Sequence, residues 1–502
     1  MNDAVIIGGG LGALFTGAFL SKEGYKVTVL EKNRIIGGGL QCFTRHGDVF
    51  ETGMHILGGF CSGGSLHKIC SYLGIINKLS IRHTDEDAID SITYLSDKKT
   101  YRIPQGKEAF IHYLSLEFPE EKEHIEAYVN ELYELSEEVD LFYLRKGPNH
   151  IFSHSEHFLW AADRLIKHYV DNPQLQDLLA YMNPMYGGVA GCTPAYIHAL
   201  INVLYINGSS LFNDGSQQLA DLLATIITDA GGEICVNERV VEIAVENKSV
   251  SEVKTEKGKS FKADTYISDI HPCSLLELIS PDAFPRSYRN RLMEIPNSYS
   301  AFTVYIKFKE NSFPYINHPC YYQENYSMVW KLAEYDEKEW PKGFMCLTPP
   351  TKQQGIYANR MIVNCIMDFK AVDRWKNTTV GRRGKDYEEW KQTCRERILD
   401  KLELLYPGIG EMIDYSFASS PLTIRDYYGV KEGALYGFQK DCRNIALSQV
   451  ALFTKVKNLL LTGQNVNLHG ICGVPLTAIE TAEAIIGQGI IIDKINKNYN
   501  SR

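Results

Sequence analysis

The hydrophobic positions at the start of the chain follow two different periods. Ala4–Ile7 is a short apolar run that ends in three glycines, and the apolar residues after it return at helical spacing through Leu14, Ala18 and Leu20. Lys26–Leu30 then forms a second apolar run. A strand, a glycine turn, a helix and a second strand within about 30 residues match the length of one βαβ unit. The pattern therefore predicts a parallel βαβ unit at this end of the chain.

The same two periods predict further elements along the chain. Steps of three and four residues with carboxylates between them predict an amphipathic helix over Glu120–Phe142, and strict alternation predicts a half-buried strand over Phe302–Phe308. Other helices are expected over Gln217–Ala230, Tyr387–Tyr406 and about Leu476–Ile486, and a last strand over Leu459–Leu461. The short runs Ile234–Val236, Val240–Val245 and Val250–Thr255 predict a small sheet inserted into a nucleotide-binding domain.

Length, charge and cysteine usage narrow the class of protein. A chain of 502 residues exceeds what one hydrophobic core usually supports, so two or more domains are expected. The net charge of −9 disfavours binding to nucleic acid and electrostatic binding to an anionic membrane. The twelve cysteines are scattered without a C-x-x-C pair, which indicates reduced thiols of a cytosolic protein rather than disulfides or a zinc site.

The sequence predicts a soluble protein without a membrane span. The apolar N-terminus resembles a signal peptide, but it carries Asp3 in place of a basic segment and is interrupted by glycines. The most apolar later stretch, Gly187–Phe212, is broken by Pro194 and His198 before it reaches the roughly 18 residues of a span. The expected location is therefore the cytoplasm, and peripheral membrane contact through hydrophobic loops stays open.

The glycine turn carries the first candidate chemistry. Gly8, Gly10 and Ala13 match G-x-G-x-x-G/A between the predicted strand and helix, where glycines permit a tight turn and close approach of backbone to a pyrophosphate. The helix that starts near Leu11 and Gly12 directs free N–H groups at phosphates. Glu31 lies at the end of the second strand. A carboxylate there accepts hydrogen bonds from ribose hydroxyls and disfavours the 2′-phosphate of NADP. This signature alone does not distinguish an NAD site from an FAD site. The alternative interpretation is an ordinary tight turn that binds no ligand.

The next residues resemble a known flavoprotein superfamily. The stretch from Glu31 and Lys32 to Gly37-Gly38 resembles the E-x-x-x-x-x-G-G extension shared by amine oxidases, phytoene desaturases and Rab GDP-dissociation inhibitors. The stretch from Gly47 to Gly58 resembles the G-x-x-F-D-T-G-x-H-x-x-G pattern of retinol saturases, carotenoid isomerases and bacterial phytoene-dehydrogenase-like proteins, with Glu51 in place of the usual Asp. Residues 461–475 resemble the C-terminal flavin loop of the same group. The resemblance extends over nearly the whole chain.

The resemblance implies FAD, bound without a covalent link, between the N-terminal glycines and the C-terminal loop. Gly463 would approach the pyrophosphate and ribityl chain, the helix after Pro475 would direct its N-terminus at the flavin pyrimidine edge, and Val240 would meet the adenine end. The cofactor-binding residues implied are Gly8, Gly10, Leu11, Gly12, Ala13, Glu31, Lys32, Gly37, Gly38, Gly39, Leu40, Thr52, Gly53, His55, Val240, Gly463, Gln464, Gly473, Val474 and Pro475. His55 is expected near the flavin as a candidate for catalysis, although a histidine satisfied by backbone fits equally well.

The fold implied is α/β, with a Rossmann-like FAD-binding domain of the glutathione-reductase-2 type and an inserted α+β substrate domain. The FAD domain would comprise residues 1–75, 212–272 and 453–502, and the substrate domain 76–211 and 273–452. The activity implied is hydride transfer at flavin N5 to or from a carbon–carbon double bond of a hydrophobic polyene- or retinoid-like substrate, with saturation, desaturation and isomerisation all open. No second glycine fingerprint occurs, so electrons would come from transient NAD(P)H or a partner, or leave to oxygen or a quinone.

Several alternatives stay open at this point. An amine oxidase would need a lysine and an aromatic pair facing the flavin, and a carrier like the GDP-dissociation inhibitors would lack a working flavin site. The intact Glu31 and Gly37-Gly38 favour an enzyme. Cys472 has two interpretations, a covalent thioether to the flavin or a small buried apolar residue, and the second is favoured. His150, His154 and His157 with Glu156 have helical spacing but indicate a solvated face rather than a metal site.

Overall fold

A five-stranded parallel sheet organises the N- and C-terminal parts of the chain. The computed structural model describes residues 2–147 and 154–501. The strand order is β10–β2–β1–β14–β22, with β1 Asp3–Ile7, β2 Lys26–Leu30, β10 Glu233–Cys235, β14 Thr265–Ser268 and β22 Leu459–Leu461. β1 pairs in parallel with both β2 and β14, and helix α1 (Leu11–Lys22) connects β1 to β2. The predicted βαβ unit is therefore confirmed.

Helix α1 lies at the centre of this half of the molecule. Every residue from Gly12 to Ser21 is buried, because the helix packs against α8 (Gln217–Asp229) and α15 (Gly470–Ile486) as well as the sheet. Gly17 makes this possible, since a Cβ there would lie 2.8 Å from Ile227 Cδ1. The short neighbouring helices are α2 (Ser65–Leu73) and α16 (Ile490–Asn500). A helix that is apolar all round is thus a core helix here.

A seven-stranded mixed sheet forms the second layer of the fold. Its order is β21–β15–β20–β18–β17–β7–β8, with β7 Asp90–Tyr94, β8 Lys99–Ile103, β15 Ser300–Phe308, β17 Cys320–Gln323, β18 Gly343–Leu347, β20 Arg360–Met367 and β21 Ile413–Ser419. Only the β7–β17 pair is parallel. All seven strands fall in the segments expected for the substrate domain, as the parallel strands fall in those expected for the FAD domain. The boundaries themselves stay a prediction.

The prediction for strand β15 is correct in place but wrong in exposure. Alternation predicted one solvated face, yet Thr303 and Tyr305 are as buried as Phe302 and Val304. Helix α11 (Lys385–Leu405) covers one face, and the hairpin β3 (Cys42–Arg45) and β4 (Asp48–Glu51) reaches the other, where Tyr305 Oη donates to the carbonyl of Thr52 at 3.1 Å. Because both faces of this strand are covered, the alternation of polar and apolar residues in its sequence does not correspond to an exposed and a buried face.

The remaining strands form small sheets around these two layers. They are β5 (Ile56–Gly58), β6 (Ile81–His83) and β9 (Ser209–Phe212); β11 (Val240–Glu246), β12 (Ser249–Thr255) and β13 (Ser260–Phe261); and the pair β16 (Phe313–Pro314) with β19 (Tyr357–Ala358). The inserted sheet was predicted to include the run at Ile234, and this is wrong. That run is β10, which joins the parallel sheet as its edge strand. It pairs with the side of β2 that does not face β1.

The remaining helices pack against one another and against both large sheets. They are α3 (Lys107–Glu117), α4 (Lys122–Glu137), α5 (Ala162–Tyr169), α6 (Pro173–Leu179), α7 (Ala195–Ile206), α9 (Pro272–Leu278), α10 (Arg286–Glu294), α12 (Ile409–Met412), α13 (Pro421–Tyr428) and α14 (Ile445–Ser448). The predicted helix from Glu120 is α4, which is shorter at both ends. No single helix within the described ranges is long and apolar enough to cross a membrane, and α15 with α16 meets that test only as a pair bent by 120°.

A glycine-lined cavity at the carboxyl ends of the parallel strands

A cavity of about 500 Å³ lies where β1, β2 and β14 end and the loop after β22 begins. Most of the predicted cofactor-binding residues line it: Gly8, Gly10, Leu11, Gly12, Glu31, Lys32, Gly37, Gly38, Gly39, Leu40, Gly53, His55, Val240, Gly463, Gln464 and Val474. Ala13, Thr52, Gly473 and Pro475 do not line it. Segments far apart in the sequence thus meet in one concave site, at the edge of a parallel sheet where ligands of such folds bind.

The glycine turn brings three backbone segments unusually close together. Gly8 has a left-handed φ of 95°, which a side chain rarely adopts. A Cβ on Gly10 would lie 2.6 Å from a carboxylate oxygen of Asp269, and one on Gly12 would lie 2.7 Å from Gly463 Cα. The glycines therefore serve contacts within the protein as well as the turn. Ala13, fully buried, faces the protein interior instead of the cavity.

Glu31 is held rigidly at the end of β2. It is only 6% exposed, and its two carboxylate oxygens accept hydrogen bonds from the N–H groups of Gly9 at 2.8 Å and Asn33 at 2.7 Å. Lys32 follows it on the cavity wall and donates to the carbonyl of Asp426 at 3.1 Å. Desolvation by burial lowers the pKa of Lys32, and the nearby Arg239 lowers it further. A fixed carboxylate at this strand end suits hydroxyl donors of a bound ligand.

His55 lies on the cavity wall in a side-chain network. Its Nδ1 is 3.2 Å from Glu51 Oε1 and 3.0 Å from Ser216 Oγ, and Glu51 also accepts the N–H of Ser216 at 3.0 Å. The partners of this nitrogen are thus two side chains, and not the backbone group that one of the two interpretations required. Thr52 holds the adjoining loop, since its Oγ1 donates to the carbonyl of Gly39 at 2.6 Å. This arrangement fixes the orientation of the imidazole at the cavity.

The C-terminal loop is correct in place, but its helix begins earlier than predicted. Helix α15 starts at Gly470, so Pro475 lies in its second turn rather than before it. Val474 reaches the cavity, whereas Gly473 packs on the preceding loop, where a Cβ would lie 2.8 Å from Leu468 Cβ. Proline is common at the first position of a helix, which is why the sequence favours a helix start at Pro475. The N-terminus of α15 still faces the cavity through Gly470.

One end of the cavity is lined by methionines and aromatic rings that the sequence did not single out. Met54, Met185, Tyr205 and Tyr436 lie on this wall. The hydroxyl of Tyr205 donates to the carbonyl of Ile56 at 3.0 Å, and that of Tyr436 donates to Pro184 at 2.9 Å. Because the hydroxyls are engaged with carbonyls, the rings present apolar surface to the cavity. No local motif marks these residues, which come from both layers of the fold.

Asp269 is a further cavity residue that the sequence did not single out. It directly follows β14 and lies on the cavity wall, where the N–H groups of Gly10 and Ala13 donate to its carboxylate. Desolvation raises the pKa of Asp269 to about 7, and the charge of Glu31 contributes to the rise. An acidic residue at the carboxyl end of a strand was the available signal.

A buried lysine and a buried histidine lie one layer behind the wall. Among the described residues, no hydrogen-bond partner reaches Lys440 Nζ or either ring nitrogen of His469. Burial lowers the pKa of Lys440 to about 8 and that of His469 to about 3, the latter with a contribution from the lysine charge. The His469 ring centroid is 5.2 Å from that of Tyr436. His469 is also the N-cap residue of α15.

The other candidate sites acquire ordinary structural roles. Cys472 is buried off the cavity wall with its Sγ 2.9 Å from the carbonyl of Gly58, and burial raises the pKa of its thiol to about 12. His154 and His157 are paired with Glu138 and Glu131 at 3.1 and 2.7 Å, so the expected solvated face is wrong, whereas His150 lies outside the described residues. Across the described ranges, no three His, Cys, Asp or Glu side chains are grouped as a metal site.

The parallel sheet, the glycine turn and the carboxylate at the end of β2 define a dinucleotide-binding α/β protein. The model of the flavin-containing amine oxidoreductase family matches residues 14–486, and the chain belongs to that family. Family membership supports a flavin as the cofactor.

Known proteins confirm the fold and the resemblance seen in the sequence. The chain is 24% identical to all-trans-retinol 13,14-reductase of Danio rerio over 98% of its length and 87% of that protein. It is 24% identical to chloroplastic prolycopene isomerase of Arabidopsis thaliana over 87% of its length and 74% of that protein. A putrescine oxidase with bound putrescine superposes with a TM-score of 0.66 at 15% identity, over 97% of this chain and 99% of that one. These relatives are enzymes, and the last shares the fold.

Proposed function

We propose that this chain is an FAD-dependent oxidoreductase or isomerase that acts on a carbon–carbon double bond of a hydrophobic polyene or retinoid. The observation that carries the proposal is a single cavity with two chemically different ends. One end has the glycine turn and Glu31, and the other has the methionines and tyrosines of both layers. The names of the relatives that act on retinol and prolycopene support the substrate class.

The residues of the glycine end suit FAD. Glu31 is placed for ribose hydroxyls, the turn at Gly8–Gly10 for the diphosphate, Gly463 for the diphosphate and ribityl chain, and the backbone of Val240 for the adenine end. A Cβ on Gly10 would collide with Asp269, and one on Gly12 would collide with Gly463, so only glycine lets these backbone segments meet beside the turn. Bound FAD would supply hydride exchange at flavin N5.

The residues of the apolar end would position the substrate and exclude water. Met54 and Met185 adapt to an extended chain, and the ring faces of Tyr205 and Tyr436 pack on conjugated double bonds. His55 is oriented by Glu51 and Ser216, so it is available to place the substrate or exchange one proton. A dry, apolar wall also protects a reactive centre from water.

The electron donor is proposed to bind transiently. The second large sheet is antiparallel apart from one strand pair, and the described residues contain no second strand–glycine–helix unit for a nicotinamide domain. NAD(P)H or another donor would therefore reach the same cavity from outside. We also propose that the protein works in the cytosol, where the twelve thiols, all free, would remain reduced.

An amine substrate is the second candidate, since the putrescine oxidase shares the fold. The residues that line the cavity disfavour an amine substrate. Lys32 is the lysine on the wall in the described part of the chain, and it binds the carbonyl of Asp426 beside Glu31 rather than facing the apolar end. A carrier without flavin is disfavoured by the fixed Glu31 and the close glycines.

The test is the absorption spectrum of the purified protein, followed by turnover. Absorption bands at about 370 and 450 nm and release of FAD on denaturation would support a flavoenzyme. Anaerobic assays would then compare retinol, prolycopene and putrescine, with bleaching of the flavin and product analysis as the readouts. Turnover of a polyene but not putrescine is expected. A protein that takes up no FAD would refute the proposal and favour a carrier, and oxidation of putrescine alone would favour an amine oxidase.

A further inference from the structure

Asp269 lies where three backbone segments of the cavity converge. Its carboxylate oxygens are 2.6 Å from the position of a Cβ on Gly10 and closer still to those on Gly12 and Gly463. The carboxylate is therefore wedged between the glycine turn, the first turn of α1 and the loop after β22. It accepts the N–H groups of Gly10 and Ala13, which belong to the helix N-terminus that attracts phosphate in such folds.

Charged and titratable groups approach this carboxylate from several elements that pack on it. Glu31 at the end of β2 adds a negative charge, and Arg239 beside β11 lies on the same cavity wall. His271, two residues further on, has its pKa lowered to about 4 by burial, so it is uncharged near neutral pH. Residues 462–465 of the facing loop are uncharged. The ionised form of Asp269 is thus compensated mainly by backbone N–H groups.

We propose that FAD binding to this chain is coupled to the uptake of one proton by Asp269. The inference rests on the proposed FAD site. A diphosphate at the turn brings two more negative charges beside the carboxylate, and like charges in one site disfavour ionisation. The proton comes from solvent and adds to a carboxylate oxygen. The neutral acid then donates a hydrogen bond towards the phosphate oxygens in place of repelling them, while its other oxygen still accepts N–H groups.

The free protein is poised for this coupling at physiological pH. Desolvation already raises the pKa of Asp269 to about 7, and the diphosphate raises it further. FAD binding is therefore coupled to almost no proton uptake at a pH below the pKa of Asp269 in the free protein. It is coupled to the uptake of about one proton at a pH between the pKa values of Asp269 in the free and FAD-bound protein. In that window the dissociation constant for FAD rises about tenfold for each pH unit. An asparagine at this position would bind the same N–H groups without titrating.

The experiment measures FAD affinity and proton uptake in protein freed of its cofactor. Flavin fluorescence is titrated between pH 6 and 9, and calorimetry at pH 8.5 in two buffers of different ionisation enthalpy counts the protons taken up. Asp269→Asn is the test variant. Asp177→Asn is the matched control, because the pKa of Asp177 is also raised, to about 6, yet this residue lies off the cavity and accepts a hydrogen bond from the hydroxyl of Tyr94 at 3.0 Å.

The expected result is a dissociation constant that is flat up to about pH 7 and rises about tenfold per unit above it, with about one proton taken up at pH 8.5. Asp269→Asn should abolish the rise and bind about 30-fold more tightly than the wild type at pH 8.5, whereas Asp177→Asn should keep the rise. Equal slopes in the wild type and Asp269→Asn, or no proton uptake by the wild type, would overturn the inference. Failure of every form to bind FAD would instead reject the proposed function. If the asparagine variant does not fold, proton uptake by the wild type alone still decides.

Discussion

The close approach of α1 to the loop after β22 can be tested by adding a single methyl group. In Gly12→Ala, the new Cβ would lie 2.7 Å from Gly463 Cα and 2.9 Å from Gly463 N, and closer still to an Asp269 oxygen. Ordinary carbon–carbon contact begins at about 3.5 Å, so the loop must retreat by roughly 0.8 Å. The atoms in the way are mostly backbone, which cannot rotate aside. We therefore expect strain of about 1–3 kcal/mol, the usual range for overpacking.

The same displacement should weaken FAD binding, because it moves Gly463 away from the glycine turn. If the loop must be returned to its place when the cofactor binds, the strain of about 1–3 kcal/mol appears as a loss of roughly 5- to 150-fold in affinity. Thermal unfolding and flavin fluorescence titration measure the two effects. Gly355→Ala is the matched control, since a Cβ at Gly355 meets nothing within 4 Å and its φ is not left-handed. A Gly12→Ala protein with wild-type stability and affinity within twofold would refute the reasoning.

Three further predictions concern single side chains. Glu31→Ala should lower FAD affinity at least about tenfold, measured by titration, because it leaves two backbone N–H groups and the ribose without an acceptor; unchanged affinity would argue against the ribose role. Acid denaturation should release all flavin from both wild type and Cys472→Ser, since the thiol faces Gly58, and retained flavin in the wild type alone would indicate a thioether. Burial raises the pKa of Asp90, which accepts the Tyr181 hydroxyl, to about 8. The folded state therefore holds this proton above the unfolded pKa of about 4, and the contribution to unfolding free energy falls as pH rises from about 4 to 8. Asp90→Asn should flatten that fall in denaturant titrations, and an identical pH profile would contradict it.

Local patterns in the sequence predicted the parts of the fold that depend on local physics. The βαβ unit, helix α8 and strand β22 follow from apolar period and glycine stops, and each is confirmed. The errors arise where tertiary packing overrides the pattern. Strand β10 joins the parallel sheet because β2 offers an edge, and β15 loses its solvated face to the hairpin β3–β4.

The candidate site divides in the same way. Glycines and Glu31 can be recognised because only those residue types fit a tight turn and a ribose, whatever surrounds them. Tyr205 and Tyr436 have no such signature, since their place on the wall depends on how the second layer packs on the first. Asp269 could have been found from the end of its strand, but its contact with Gly463 joins positions that only the fold brings together.

The position of the cavity between two layers explains how one family serves different substrates. The glycine end is fixed by backbone contacts at Gly10, Gly12 and Gly463 that tolerate no side chain, so substitutions there disrupt the site itself. The apolar end is built from side chains such as Met54 and Met185, whose exchange alters the volume and not the frame. Substrate choice can therefore change by substitution at the apolar end while cofactor binding is preserved. On this argument, differences between relatives that act on retinol, prolycopene or putrescine should concentrate on the wall contributed by the second layer.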